Sequence, residues 1–328
     1  MTFIRIPKSW EVSENEITSE TIYFNRRRFL KTLVGAGIGA SLIPLAGCQK
    51  SSSEAALEAS LDLPKISSFH TNPAFAKVDR PICDRKLAGR YNNFYEYGST
   101  KNIWLKAQKL PTENWQVEVT GLVKNPRTYD LDDLKKTFPL EQRIYRFRCV
   151  EAWSMVLPWI GFPMKSLIEA VEPTSAAKFA RFTSFYDSDV TKGPGFHLGS
   201  LPWPYTEGLR IEEMANELAF FAVGIYGREL PKQHGAPIRM VLPWKYGFKG
   251  AKSIVKIEFI DTQPATFWNT VVPNEYDFEA NVNPTKPHPR WSQATEKSIG
   301  KGPGLSWELK ETLPYNGYGE YVASLYRV

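Results

Sequence analysis

Between residues 115 and 260 the chain is written in short stretches of alternating apolar and polar residues, each closed within two residues by glycine, proline or an acidic residue. In an extended strand successive side chains point to opposite faces, so this alternation marks strands with one buried face. Residues 115–120, 143–150, 178–185, 218–223, 238–242 and 253–260 read this way. Two helices are expected among them. Asp130 can cap one over 131–138, because its carboxylate can accept a free N–H of the first turn. The other lies between Pro163 and Pro173, over 164–171. Residues 187–208 are rich in Gly and Pro and predict a long loop. After Asp261 the chain is irregular and proline-rich, yet it keeps Trp268, Trp291 and Trp307, which predicts an ordered tail wrapped on the body. Strands and helices do not alternate regularly. The expected fold class is therefore α+β, a mixed single domain, and not a doubly wound sheet.

The N-terminal segment reads as an address. Asn25-Arg26-Arg27-Arg28-Phe29-Leu30-Lys31 precedes an apolar, Gly/Ala-rich run over 32–46. A charged region followed by a short apolar one is a signal peptide, and the run is too short for a membrane span. The arginine pair followed by Phe-Leu-Lys matches the twin-arginine export signal, with Asn25 where Ser or Thr is usual. Gly35, Gly37 and Gly39 are not a nucleotide loop, since no strand precedes them. Leu45-Ala46-Gly47-Cys48 resembles the lipobox of bacterial lipoproteins, and the polar stretch after it reads as a tether. The expected division is a signal over 1–48, ended either by lipidation of Cys48 or by ordinary cleavage nearby, a tether over 49–75, and one domain over 76–328, delivered to the periplasm.

Charge and cysteine usage exclude other classes. The formal charge is +6, with no clustered basic face, so nucleic acid is not an expected partner. Three cysteines, Cys48, Cys83 and Cys149, are too few for a disulfide scaffold or an iron–sulfur set. If Cys48 is modified, one bridge between Cys83 and Cys149 is open. The four histidines form no helix-spaced pair, so a zinc site is not expected.

Three stretches carry candidate chemistry. Cys149 closes the strand over 143–150, sharing a face with Tyr145 and Phe147, while Arg146 and Arg148 point away from its sulfur. A thiol at a strand end is placed to meet a ligand, or is a buried structural cysteine. The loop from Trp244 to Lys252 holds two glycines and three lysines, which suits a phosphate or a basic hairpin. Arg239 precedes it and could make a bidentate contact. Residues 91–97 interleave aromatics with amides and Glu96, as for stacking on a flat heterocycle or for plain packing.

In order, Tyr91-Asn92-Asn93-Phe94-Tyr95-Glu96, Arg148-Cys149-Val150-Glu151-Ala152-Trp153-Ser154-Met155, Gly235-Ala236-Pro237-Ile238-Arg239, the loop from Trp244 to Gly250, Asn281-Val282-Asn283-Pro284 and the stretch from His288 to Glu296 resemble the MsrP family, within the sulfite-oxidase fold. The resemblance runs from about Tyr91 to the C-terminus. It implies a molybdenum–molybdopterin cofactor without attached nucleotide, with Cys149 as the protein's metal ligand; soft thiolate suits that role. Carried over by position, it places Asn92, Tyr95 and Glu96 against the pterin, with Ser184, His234 and Arg239 following. It closes Gly250, Ala251 and Lys252 around the phosphate, and sets Asn93 and Glu151 beside the metal. Ser184 stands where Thr is familiar and His234 where Asn is; both keep hydrogen-bonding capacity.

The function implied is reduction of methionine sulfoxide in oxidised periplasmic proteins. Electrons would come from a haem-containing inner-membrane subunit, because the chain has no haem motif of its own. Reduction of another S- or N-oxide, sulfite oxidation, and a catalytically silent lipid-anchored binding protein are the alternatives. Trp203 and Tyr205 in the 187–208 loop are a candidate rim for a protein substrate. With Arg148 turned away and Arg239 on the phosphate, few arginines remain to cluster around sulfite.

Overall fold

The structure, a computed structural model, describes residues 52–194, 201–300 and 307–326. Arg26, Arg27 and Cys48, and with them the signal and lipobox readings, lie outside the described residues. Lys50–Val328 forms one compact unit.

The thirteen strands of the described residues form two sheets. In chain order they are β1 (His70–Thr71), β2 (Gln116–Gly121), β3 (Arg127–Asp130), β4 (Glu141–Arg148), β5 (Trp153–Pro163), β6 (Phe179–Ser184), β7 (Thr206–Arg210), β8 (Phe220–Ile225), β9 (Arg228–Glu229), β10 (Arg239–Val241), β11 (Ile254–Ile260), β12 (Thr295–Ile299) and β13 (Trp307–Glu311). The smaller sheet runs β3-β2-β11-β6-β7. The larger runs β1-β4-β5-β12-β13, with β8 also on β5 and carrying β9 and β10. Phe182 of the smaller sheet meets Phe221 of the larger at 6.2 Å between ring centres. The class is α+β, as expected.

Asp130 caps the helix Leu131–Thr137 by accepting from Asp133 N at 2.7 Å, and Met164–Val171 is helical as its flanking prolines predict. Four expectations need correction. The longest strand, β5, was not anticipated. Its residues are almost all buried, so it shows no alternation, and Pro158 argues against a central strand. The loop over 187–208 gives up its last residues to β7, which pairs with β6. The tail contains β12 and β13, whose charged residues hide their period; Trp307 is about half exposed and does not anchor it. The tether is also wrong from Ser52 onward. Ser52–Leu61 is a helix, and Leu57 and Leu61, one turn apart on one face, bury themselves with Trp104.

β4 and β5 form an antiparallel hairpin whose turn is Cys149–Ala152. Cys149 N donates to Trp153 O at 2.9 Å and Ala152 N to Cys149 O at 3.1 Å. Ala152 has φ 62°, the left-handed conformation that follows a type I turn in a bulged hairpin. This turn presents Cys149 at the end of the sheet.

Candidate active site

A cavity of about 330 Å³ opens beside the turn. The Cys149 sulfur lines it. Asn93 Nδ2 donates to Sγ at 3.3 Å and to Glu151 Oε2 at 3.0 Å. The same carboxylate oxygen accepts from Trp153 Nε1 at 3.0 Å and pairs with Lys101 Nζ at 2.5 Å. Burial alone would raise the Glu151 carboxyl, but Asn93, Lys101 and Trp153 together hold it below its ordinary value. Burial, reinforced by the Glu151 charge, pushes the Cys149 thiol up to about 12.

Three basic side chains also line the cavity. Arg239, from β10, and His234 are buried and Lys252 is half-buried, and among the described residues neither Arg239 nor Lys252 has a carboxylate within 4 Å. Burial lowers Arg239 to about 10. Burial and then repulsion from Arg239 lower Lys252 to about 8, with Glu96 opposing. Burial and both cations lower His234 to about 3, so its imidazole is neutral. Glu96 faces this group, its own carboxyl raised by burial.

Of the residues expected at the site, Asn92, Asn93, Tyr95, Glu96, Cys149, Glu151, His234, Arg239 and Lys252 line the cavity; Ser184, Gly250 and Ala251 do not. Asn92 spends its amide N–H groups on Ala88 O and Gly89 O, ending the helix Arg85–Arg90. Cys83 and Cys149 are both free, which removes the bridge between them. Lys101, Trp153, Trp268, Tyr276 and Arg290 were missed. Only Trp153 carried a local signal, two residues from Glu151; the others reach the site through the fold.

Residues 104–268 match the family described as oxidoreductase molybdopterin binding domain. The protein-methionine-sulfoxide reductase catalytic subunit MsrP of Burkholderia mallei is 46% identical over 97% of this chain and 93% of its own. The chain belongs to the MsrP family. The MsrP proteins of Ralstonia nicotianae and Pseudomonas syringae pv. tomato are 46% and 45% identical over 96% and 98% of this chain, and 94% and 97% of theirs. Among solved structures, the sulfane dehydrogenase SoxCD from Paracoccus pantotrophus is similar at 14% identity and a TM-score of 0.48, covering 85% of this chain and 79% of that one.

A molybdopterin fits the MsrP-family cavity on three observations. Cations in a cavity without a carboxylate in ion-pair range are costly, and the pair Arg239 and Lys252 is what a phosphate would satisfy. A side chain on Gly250 would stand 2.9 Å from Met240 O and 3.2 Å from Arg239 Nη2, so only glycine leaves the backbone this close to the arginine. The Cys149 thiol on the same cavity is the soft ligand that molybdenum calls for.

Proposed function

We propose that the chain reduces methionine sulfoxide residues in exported proteins. It would use molybdenum on a pterin without attached nucleotide, and electrons from a haem-containing inner-membrane subunit. The observation that carries the reading is one cavity lined by both the Cys149 sulfur and the phosphate-type cations Arg239 and Lys252. The names of the relatives supply the substrate. The twin-arginine and lipobox sequences supply the periplasmic address and the Cys48 anchor.

When bound, the cofactor supplies two-electron oxygen-atom transfer, which turns a sulfoxide and two protons into a thioether and water. Cys149 holds the metal. Arg239 and Lys252 hold the phosphate, with Ser184, Gly250 and Ala251 forming the backing, and Asn92, Tyr95, Glu96 and His234 frame the pterin. Asn93 fixes Glu151 against the sulfur, and Lys101 Nζ pairs with that carboxylate. Tyr95, Trp268 and Tyr276 give the wall aromatic faces that suit a thioether or its sulfoxide. Tyr205 belongs to this wall, while Trp203 stands behind Tyr95.

Sulfite needs clustered cations. Arg148 is spent on Glu296, Arg239 on the phosphate, and Arg290 on Glu275 at 2.6 Å. The test is a metal and pterin assay of the purified protein, followed by turnover with an oxidised unfolded protein, free methionine sulfoxide and sulfite side by side. Turnover of the oxidised protein with little sulfite oxidation is expected. Efficient sulfite oxidation with no turnover of the oxidised protein overturns the reading.

A further inference from the structure

Behind the Cys149 turn lies a buried charge cluster that the chemistry above does not use. Arg148 ends β4 with its side chain wholly buried. Its Nε donates to Glu296 Oε2 at 2.8 Å, Nη2 to Gln293 Oε1 at 2.8 Å and to Thr312 Oγ1 at 3.2 Å, and Nη1 to the carbonyl oxygen of Cys149 itself. Glu296, on β12, also accepts from Ser154 Oγ at 3.0 Å and pairs with Arg80. The next carbonyl, of Val150, accepts at 2.7 Å from both Gln293 Nε2 and Trp291 Nε1.

Two consecutive turn carbonyls are thus drawn to the back. A peptide unit is planar and trans, so its C=O and N–H point in opposite directions. Pinning Val150 O backward therefore aims the Glu151 N–H forward, where it lies 3.5 Å from Cys149 Sγ. Stability does not account for the cluster, because apolar residues of similar volume often replace a buried ion pair without loss. What the cluster supplies is direction.

Resting on the reading of Cys149 as the metal-binding thiolate, we propose that Arg148, held by Glu296 and acting with Gln293, is a positioning residue that fixes the turn so that the Glu151 N–H meets the Cys149 sulfur and the sulfur faces the cavity. An N–H donated to a ligand sulfur withdraws charge from it and raises the potential of the metal it binds. Arg148 therefore tunes the centre without touching it.

Two variants test this. Arg148→Lys keeps the charge, but a compact ammonium replaces the wide planar fork whose Nε, Nη1 and Nη2 reach Glu296, Cys149 O and Gln293 separately. Gln293→Leu leaves Arg148 in place and removes one donor from Val150 O. Should Arg148→Lys fail to fold, Gln293→Leu carries the test. In the holoenzyme the expected results are a lower midpoint potential of the metal and an altered EPR spectrum. In the cofactor-free protein, iodoacetamide should alkylate Cys149 about fivefold more slowly, because the sulfur loses both its N–H donor and its fixed approach to the cavity, with buried Cys83 as internal reference. An alkylation rate equal to wild type in the folded variants overturns the proposal, whatever the potential does. Cys149→Ser is the control for the underlying reading. If that change leaves the EPR spectrum and potential untouched, the metal–thiolate assignment falls, while the alkylation rates still decide whether Arg148 positions the sulfur.

Discussion

Asn93 ties the Cys149 sulfur to the Glu151 carboxylate through one amide nitrogen, 3.3 Å from the first and 3.0 Å from the second. Sulfur and carboxylate lie 3.8 Å apart. When both carry charge they repel, and the amide between them offsets that repulsion. Asn93→Asp keeps the shape and exchanges donors for a third negative charge. Turnover should fall about 10–100-fold, the usual loss when a group orienting a metal ligand is removed. A kcat within twofold of wild type, at full molybdenum content, would refute the role.

The two described cysteines should behave differently. Cys149 lines the cavity, whereas Cys83 is buried away from it with a thiol pushed by burial up to about 12. Cys149→Ser should fold and keep pterin but lose activity, because a hard oxygen replaces a soft sulfur. Cys83→Ser should keep full turnover at a modest loss of stability. Equal loss of turnover in both would count against Cys149 as ligand.

Lys252 carries a trade-off between stability and binding. In the cofactor-free protein Lys252 is half-buried, and desolvation with repulsion from Arg239 lowers it from 10.5 to about 8. Lys252→Met should therefore stabilise the cofactor-free protein by about 2 kcal/mol while abolishing cofactor retention. The sign with pH follows. Below about 8 both folded and unfolded wild type carry the proton, and the full penalty applies. Between about 8 and 10.5 only the unfolded chain holds it, so wild-type stability rises toward that of the variant. Melting temperatures across this window, with molybdenum content, check both halves. A wild type more stable than the variant at pH 7 would contradict the argument.

Export should depend on the guanidinium pair and not on charge. Changing Arg26 and Arg27 to Lys keeps both charges and should leave the protein in the cytoplasm. Cell fractionation reads this out, and the intact mass of the exported protein shows whether Cys48 is acylated. Unimpaired periplasmic delivery of the double variant would sink the address.

The elements legible in the sequence share one physical trait: one face buried and the other wet. β11 shows its alternation, and Met164–Val171 shows proline boundaries. β5 does not, because both of its faces are covered. β12 does not, because Glu296 occupies the buried position where an apolar residue would reveal the period. The site divides in the same way. Cys149, Asn93 and Arg239 lie in motifs that family resemblance can mark. Lys101 reaches Glu151 across 50 positions of chain, and no local pattern joins them. Alternation turned Arg148 away from the sulfur, as found, but its partners on β12 come from the other end of the chain.

The loop that closes on the phosphate end is tied down by a second buried pair, Lys245 and Glu213, at 2.6 Å. Tyr326 OH donates to Glu213 Oε1 at 2.6 Å and accepts from Trp244 Nε1 at 2.9 Å, so the C-terminal turn fastens the start of the loop. Burial alone would raise the Glu213 carboxyl; the Lys245 charge and hydrogen bond, with Tyr326 and the Arg210 N–H, hold it below 4.5. A carboxyl depressed in the folded state contributes stability above its unfolded value and loses it as pH falls through the folded one. Glu213→Gln should thus cost about 3–5 kcal/mol at pH 7, since it leaves the Lys245 ammonium buried without its counter-charge. It should also flatten the loss of stability below pH 4.5. Pairing Glu213→Leu with Lys245→Met removes both charges and should recover most of the loss. Denaturant unfolding of the wild type, the single and the double variant at pH 7 and pH 4 gives all of these terms. If the double variant is less stable than Glu213→Gln, the pair is a net stabiliser, and desolvation does not dominate its energetics.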